Sequence, residues 1–99
     1  MEITKTQENG RLTLAIVGKI DSVTAPQLNA ELKAMPTEIV DLSLDFNDVE
    51  YVSSAGLRSI LTAQKEMNAR KGKMVLKGVN ANVKHVLDLT GFSPVLTFA

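Results

Sequence analysis

The sequence predicts an α/β domain: a small mixed β-sheet in which an N-terminal antiparallel hairpin is followed by mostly parallel strands, with helices mainly on one face. Two alternating runs, Ile3 to Gln7 and Arg11 to Val17, flank Glu8-Asn9-Gly10, the pattern of a β-hairpin with a Gly-containing turn. Downstream, segments of helical and strand period alternate, so each helix joins two strands by a crossover and those strands run parallel. The run from Ile39 to Phe46 carries apolar residues on one side and Asp41, Ser43 and Asp45 on the other, which leaves one face of the sheet largely free of helices. Ninety-nine residues suffice for a single domain, residues 1–99, and are too few for a second catalytic module.

Each element has its own signal. In the second strand Leu12, Leu14 and Ile16 share a face, and Gly18 stops the pattern ahead of the loop from Lys19 to Thr24. Thr24 is the expected N-cap of the first helix. Pro26 fits its first turn, where a missing N–H costs nothing, and Leu28, Leu32 and Met35 recur on one side until Pro36 ends it. Val40, Leu42, Leu44 and Phe46 form the apolar side of the third strand, and a short turn separates it from the segment Tyr51 to Leu57. Leu57, Ile60, Leu61, Gln64 and Met67 then keep helical spacing up to Arg70, Lys71 and Gly72, where cations suit the negative end of the helix dipole and Gly72 suits the break. Met74 to Lys77 is a short strand, Asn80 caps a third helix carrying Val83, Val86 and Leu87, and Gly91 ends it. After Pro94, Val95 to Phe98 is the last strand.

Composition removes several classes of function. Eleven Lys and Arg balance eleven Asp and Glu, so there is no electrostatic footprint for nucleic acid or an anionic membrane. Without cysteine there is no disulfide framework, thiol catalysis or Cys-ligated zinc, and a single histidine leaves little for a His-based metal site or a catalytic triad. Most common hydrolase chemistries therefore lack their essential residues, catalysis is the weakest reading of the chain, and no catalytic residues, metal or cofactor are expected. Met1 to Lys5 alternates polar and apolar residues and lacks a long apolar core, so neither a signal peptide nor membrane insertion is expected, and the expected location is cytoplasmic.

One segment has local chemistry that the fold does not require. Ser53-Ser54-Ala55-Gly56-Leu57 places two hydroxyls at a strand end, just before an amphipathic helix opens. Free N–H groups and the helix dipole there favour an anion, so a phosphoserine at Ser54 would add about −1.5 to −2 of charge without unfolding the domain. The plainer account is an ordinary serine N-cap, with small residues allowing strand and helix to pack closely. A nucleophilic serine fits poorly, since the segment is not G-x-S-x-G and the lone His85 lies in another helix, where it reads as a structural residue with no role. Asp41, Asp45, Asp48 and Glu50 read as solvated strand charges rather than metal ligands. Asp21 stands with Ser22 and Thr24 in the loop after the second strand, and that loop meets the Ser54 turn if both lie at one edge of the sheet. Alternatively, Asp21 serves only an Asx-turn or cap.

The order of elements, Gly18-Lys19-Ile20-Asp21, Thr24-Ala25-Pro26-Gln27-Leu28, Val40-Asp41-Leu42-Ser43 and above all Tyr51-Val52-Ser53-Ser54-Ala55-Gly56-Leu57-Arg58 resemble a STAS domain of the anti-sigma factor antagonist type, through almost the whole chain. The resemblance implies partner switching. The unphosphorylated antagonist binds an anti-sigma factor that is also a serine kinase and so releases a sigma factor. The kinase phosphorylates a serine at the start of the second helix, and a PP2C-type serine phosphatase reverses the modification. The family motif is Asp, a phosphorylated Ser or Thr, a small residue, then Gly-Leu; it aligns Ser54 with the acceptor and Ser53 with the Asp, which keeps Ser53 as the alternative acceptor. Asp21, Ser22, Thr24, Ser53, Ala55, Gly56, Leu57 and Arg58 are then the partner-binding residues. Many relatives add a C-terminal helix, and the chain ends at Ala99 without one, which is expected to uncover part of the sheet or leave an interface.

Two other functions compete with this one. A STAS accessory subunit of a lipid-transport ABC system would use the same fold to bind a nucleotide-binding subunit, in a structural role. A small-ligand or nucleotide binder would rest on the helix N-terminus alone.

Overall fold

A computed structural model describes all residues, Met1–Ala99. Strands β1 (Glu2–Glu8) and β2 (Arg11–Ile20) form the expected antiparallel hairpin. Asn9 and Gly10 both take positive φ, 47° and 82°, which is what a two-residue turn matching the strand twist demands. Helix α1 (Ala25–Lys33) crosses to β3 (Asp41–Val52), and α2 (Ser54–Ala69) crosses to β4 (Lys73–Lys77). The sheet order is β1-β2-β3-β4, with β2, β3 and β4 mutually parallel. Helix α3 (Ala81–Leu89) follows, capped by Asn80, whose side chain accepts from Val83 N–H at 2.8 Å.

Register decides which face is covered. Leu12, Leu42 and Met74 form one row across the parallel strands and Leu14, Leu44 and Leu76 the next. These rows share a single apolar core with Leu28 of α1, Ile60 and Met67 of α2, and Val83 and Leu87 of α3. The intervening row, Thr13, Ser43 and Val75, points away from this core, so the helices lie on one face as the alternation in β3 requires. No helix is long and apolar enough to cross a membrane.

Four elements depart from the sequence-based expectation. Strand β3 starts at Asp41 and runs without a turn to Val52; the expected break after Phe46 is a register irregularity, after which Val49 and Val52 are the buried residues in place of strict alternation. Gly18 does not end β2 but sits at a second irregularity with φ 108°, and the strand continues to Ile20. Helix α1 ends at Lys33, short of Pro36, which has no N–H to continue it and disfavours helical backbone in the residue before it; the chain beyond is held by Arg70, whose guanidinium donates to the carbonyls of Pro36 at 2.6 Å, Ile39 at 3.1 Å and Met35 at 3.4 Å. The last strand is absent. Ser93–Val95 curls into one turn of 3-10 helix, held by the Ser93 hydroxyl donating to Asp88 at 2.6 Å, and only Phe98 bridges to Leu76 of β4.

Candidate functional site

The carboxyl ends of β2 and β3 pair up to Ile20 and Val52, and the chain leaves them in two directions. From Ile20 it enters the Asp21 loop. From Val52 it turns at Ser53 into α2. The two exits are tied together, since Ser53 N–H donates to the Ile20 carbonyl at 2.9 Å. Gly56 permits this approach: a Cβ there would stand 2.5 Å from the Ile20 oxygen and 2.8 Å from its side chain. The structure thus brings the Asp21 loop to the Ser54 turn, at the strand edge where open parallel sheets place their sites.

The two serines have different occupations. Ser53 is the N-cap of α2, in extended conformation with φ −85° and ψ 177°, and its hydroxyl accepts from Gly56 N–H at 3.3 Å. It is half-buried. Ser54 is the first helical residue, exposed, and its hydroxyl takes part in no hydrogen bond of the chain. The cap therefore leaves the next hydroxyl free in the electropositive first turn of the helix, with no acidic residue there.

Thr24 holds the expected N-cap position of α1, but the side chain that bonds free amides in this loop is that of Asp21. Its Oδ1 accepts from the N–H groups of Val23 at 2.9 Å and Thr24 at 3.0 Å, and its carbonyl accepts from Ala25 N–H at 2.7 Å. Thr24 makes no side-chain cap, because its hydroxyl is already engaged: it donates to the Lys19 carbonyl at 2.8 Å and accepts from Asp21 N–H at 2.9 Å. The Thr24 amide above all holds the Asp21 carboxyl below the usual carboxylate range; desolvation, the next largest influence, opposes it, and the Val23 amide, the Thr24 hydroxyl and Lys19 add to the lowering. The loop is a rigid Asx-type turn that keeps a negative charge beside Ser54.

Of the residues expected to meet a partner, Ser22 and Arg58 are exposed and Asp21, Ser53 and Ala55 are partly so. Gly56 and Leu57 lie beneath the surface and shape it from below, and the Thr24 hydroxyl is spent within the loop. Two exposed apolar side chains flank the turn: Val23, 84% exposed, at the tip of the Asp21 loop, and Tyr51, 48% exposed, beside Lys19 on β3. Neither is among the residues expected from the sequence to meet a partner, and the signal for Val23 was an apolar residue inside an otherwise polar capping loop. A groove of about 540 Å³ runs from Ser22, Ala55 and Arg58 down between α1 and α2 to Arg70.

Two of the four strand carboxylates have structural partners, and Asp48 and Glu50 are exposed. Asp41 lies 3.6 Å from Arg11 and 3.7 Å from Lys73, and Asp45 accepts from the side-chain and backbone nitrogens of Asn47. His85 is exposed on α3, away from the Ser54 turn.

A family model described as the STAS domain matches residues 2–99. The BtrV protein of Bordetella bronchiseptica is 33% identical over 104 residues, spanning 100% of this chain and 86% of its own length. The anti-sigma-B factor antagonist of Listeria monocytogenes is 27% identical over 93 residues, covering 93% of this chain and 82% of that protein. In three dimensions the chain resembles SpoIIAA, an anti-sigma factor antagonist, in its unphosphorylated form with a TM-score of 0.79 at 14% identity, over 99% of this chain and 87% of that one. It resembles the phosphorylated form of the Bacillus protein almost equally, with a TM-score of 0.77 at 16% identity, over 99% and 91%.

Proposed function

The chain belongs to the STAS domain family, and on that premise we propose that it is an anti-sigma factor antagonist that cycles between two partners according to the state of Ser54. Unmodified, the Asp21 loop, the Ser54 turn and the exposed side of α2 dock on an anti-sigma factor that is also a serine kinase, and a sigma factor is released. The observation that carries this reading is the free, exposed Ser54 hydroxyl at the start of α2, next to a Ser53 whose hydroxyl is committed to the cap. Relatives named anti-sigma-B factor antagonists support it, as does a fold seen in SpoIIAA both with and without phosphorylation.

In the forward step the Ser54 oxygen attacks the γ-phosphorus of ATP; the new O–P bond forms as the bond to the β-phosphate oxygen breaks, ADP leaves, and the hydroxyl proton passes to a base of the kinase. A PP2C-type phosphatase then directs water at the same phosphorus, returning the proton to Ser54 and releasing inorganic phosphate. The protein is substrate and binding module in both steps, with no catalytic group of its own, and it works in the cytoplasm.

The modification acts by charge. A phosphoserine adds about −1.5 to −2 units at the centre of the docking surface, and a loss of about 3 to 4 kcal/mol lowers affinity by some two to three orders of magnitude. The test uses the serine-kinase anti-sigma factors of the source genome, each purified and incubated with this chain and ATP. One phosphoryl group is expected by intact mass on wild type and Ser53→Ala and none on Ser54→Ala; Ser54→Ala binds constitutively and Ser54→Asp binds poorly. Equal affinity for wild type and Ser54→Asp, or transfer that survives Ser54→Ala, overturns the proposal. Stable association with a transporter ATPase, without phosphoryl transfer, replaces it with the accessory-subunit reading.

A further inference from the structure

Arg58 is the one cation in the first two turns of α2, and it has nothing to bind. It is exposed, it forms none of the ion pairs of the chain, and the residues three and four positions away on the helix are Ser54, Ala55, Leu61 and Thr62, none of them acidic. Among the other cations on or at the helices, Arg70 at the end of α2 is paired with Glu66 at 3.0 Å and Lys84 of α3 with Asp88 at 2.7 Å, both in the i,i+4 relation, while Lys33 and Lys65, like Arg58, form no ion pair. Arg58 also stands four residues after Ser54, so the two side chains project over the same face of α2. It lines the α1–α2 groove together with Ala55, next to Ser54, and with Ser22 of the Asp21 loop.

We propose, building on the reading of Ser54 as the acceptor, that Arg58 is the cation that receives the phosphoserine, and that the switch works in part by withdrawing this guanidinium from the docking surface. A phosphate on Ser54 supplies the missing anion at i with the cation at i+4, the favourable polarity for such a pair, and it does so at the helix end where negative charge is also stabilised. The planar fork of the guanidinium matches two phosphate oxygens, which a lysine ammonium does not. Modification then changes the surface twice. It adds an anion, and it sequesters the positive charge that the unmodified domain offers to an acidic group of its kinase. The other charges in the flanking elements are Lys19 and Asp21 at the end of β2 and in the loop after it, and Glu50 at the end of β3, while Lys33 of α1, Glu66 of α2 and Arg70 line the same groove further along. The Asp21 carboxyl is turned into its own loop through Oδ1, Lys19 lies on the Asp21 side, and Lys65 stands two turns further along α2, so Arg58 is the only cation in the first two turns of the helix that bears the phosphate.

The test compares wild type, Arg58→Gln and Arg58→Lys, each prepared unmodified and as the Ser54 phosphoprotein from the kinase reaction, with intact mass establishing that the phosphoryl group is present. The phosphorus-31 resonance of the phosphoserine is titrated with pH. Its second ionisation, about 6 when unperturbed, lies lower in wild type than in Arg58→Gln by roughly 0.15 to 0.4 of a pH unit, the scale of a helical ion pair, with Arg58→Lys between them. In binding to the kinase, Arg58→Gln weakens the unmodified protein about tenfold and leaves the affinity of the phosphoprotein unchanged. Coincident titration curves for wild type and Arg58→Gln, or a binding loss equal in both modification states, overturn the role of Arg58 while leaving Ser54 as the acceptor. Absence of phosphate on Ser54 overturns the parent reading instead.

Discussion

Gly56→Ala tests how the site is held together, because two principles predict opposite signs. Gly56 lies in the first turn of α2, and alanine is the better helix former by about 1 kcal/mol, so local propensity alone predicts a more stable protein. The tertiary contact predicts the reverse. The new methyl would sit 2.5 Å from the Ile20 carbonyl oxygen, 2.8 Å from Ile20 Cγ2 and 3.0 Å from Val52 Cγ1, against 3.4 Å or more for ordinary contact. None of these groups can retreat freely: Ile20 and Val52 are 0% and 1% exposed, and the Ile20 carbonyl already accepts from Ser53 N–H. The start of α2 must therefore lift off the strands by close to an ångström. Overpacking costs about 1 to 3 kcal/mol and a stretched backbone hydrogen bond about 1, so after the propensity gain the net loss is about 2 kcal/mol. For a domain of this size that lowers Tm by roughly 10 °C. Thermal and urea unfolding followed by circular dichroism read both quantities. A variant with Tm at or above that of wild type would show that the close approach of helix and strand is not what the glycine is for.

Two further outcomes follow from the same geometry. Arg70→Met preserves much of the side-chain volume but strips the Met35, Pro36 and Ile39 carbonyls of their donor, and a loss of about 2 to 3 kcal/mol in urea unfolding is expected; an unchanged midpoint would mean that water serves those carbonyls as well. Asp21→Asn keeps an acceptor at the turn while removing the charge. Because the Asp21 carboxyl is held below its unfolded value of roughly 3.9, its charge stabilises the fold fully above that pH, and the benefit disappears as pH falls through the lower folded value. The Tm difference between wild type and Asp21→Asn should therefore be present at neutral pH and vanish in strong acid, and a gap that persists to the lowest pH would contradict the assigned charge.

The hairpin, the crossovers, the one-sided core and the caps at Ser53 and Asn80 were legible because each rests on local pattern: a turn dipeptide, a period, a capping residue. The bulged half of β3 was not, since an irregularity interrupts alternation in the way a turn does, and the two are told apart only by the pairing of Val17 to Ile20 with Asp48 to Val52. The N-cap position at Thr24 was legible, but the use of its hydroxyl was not, because Asp21 and Thr24 both carry capping side chains. The competition is settled by the Lys19 carbonyl, which takes the Thr24 hydroxyl. The last strand failed for a similar reason: apolar residues after a proline suit a strand, but Ser93 has Asp88 within reach and the chain curls instead.

By itself the sequence determined which residues alternate, which cap and which serines open the second helix, because those properties act over a few neighbouring positions. Tertiary structure alone decided that the Asp21 loop stands beside the serine turn, through the Ser53 N–H bond to the Ile20 carbonyl, and that Arg70 reaches across more than thirty residues to grip the loop after α1. Those outcomes depend on strand pairing that brings distant carbonyls and amides within hydrogen-bond reach, and no local pattern carries that distance.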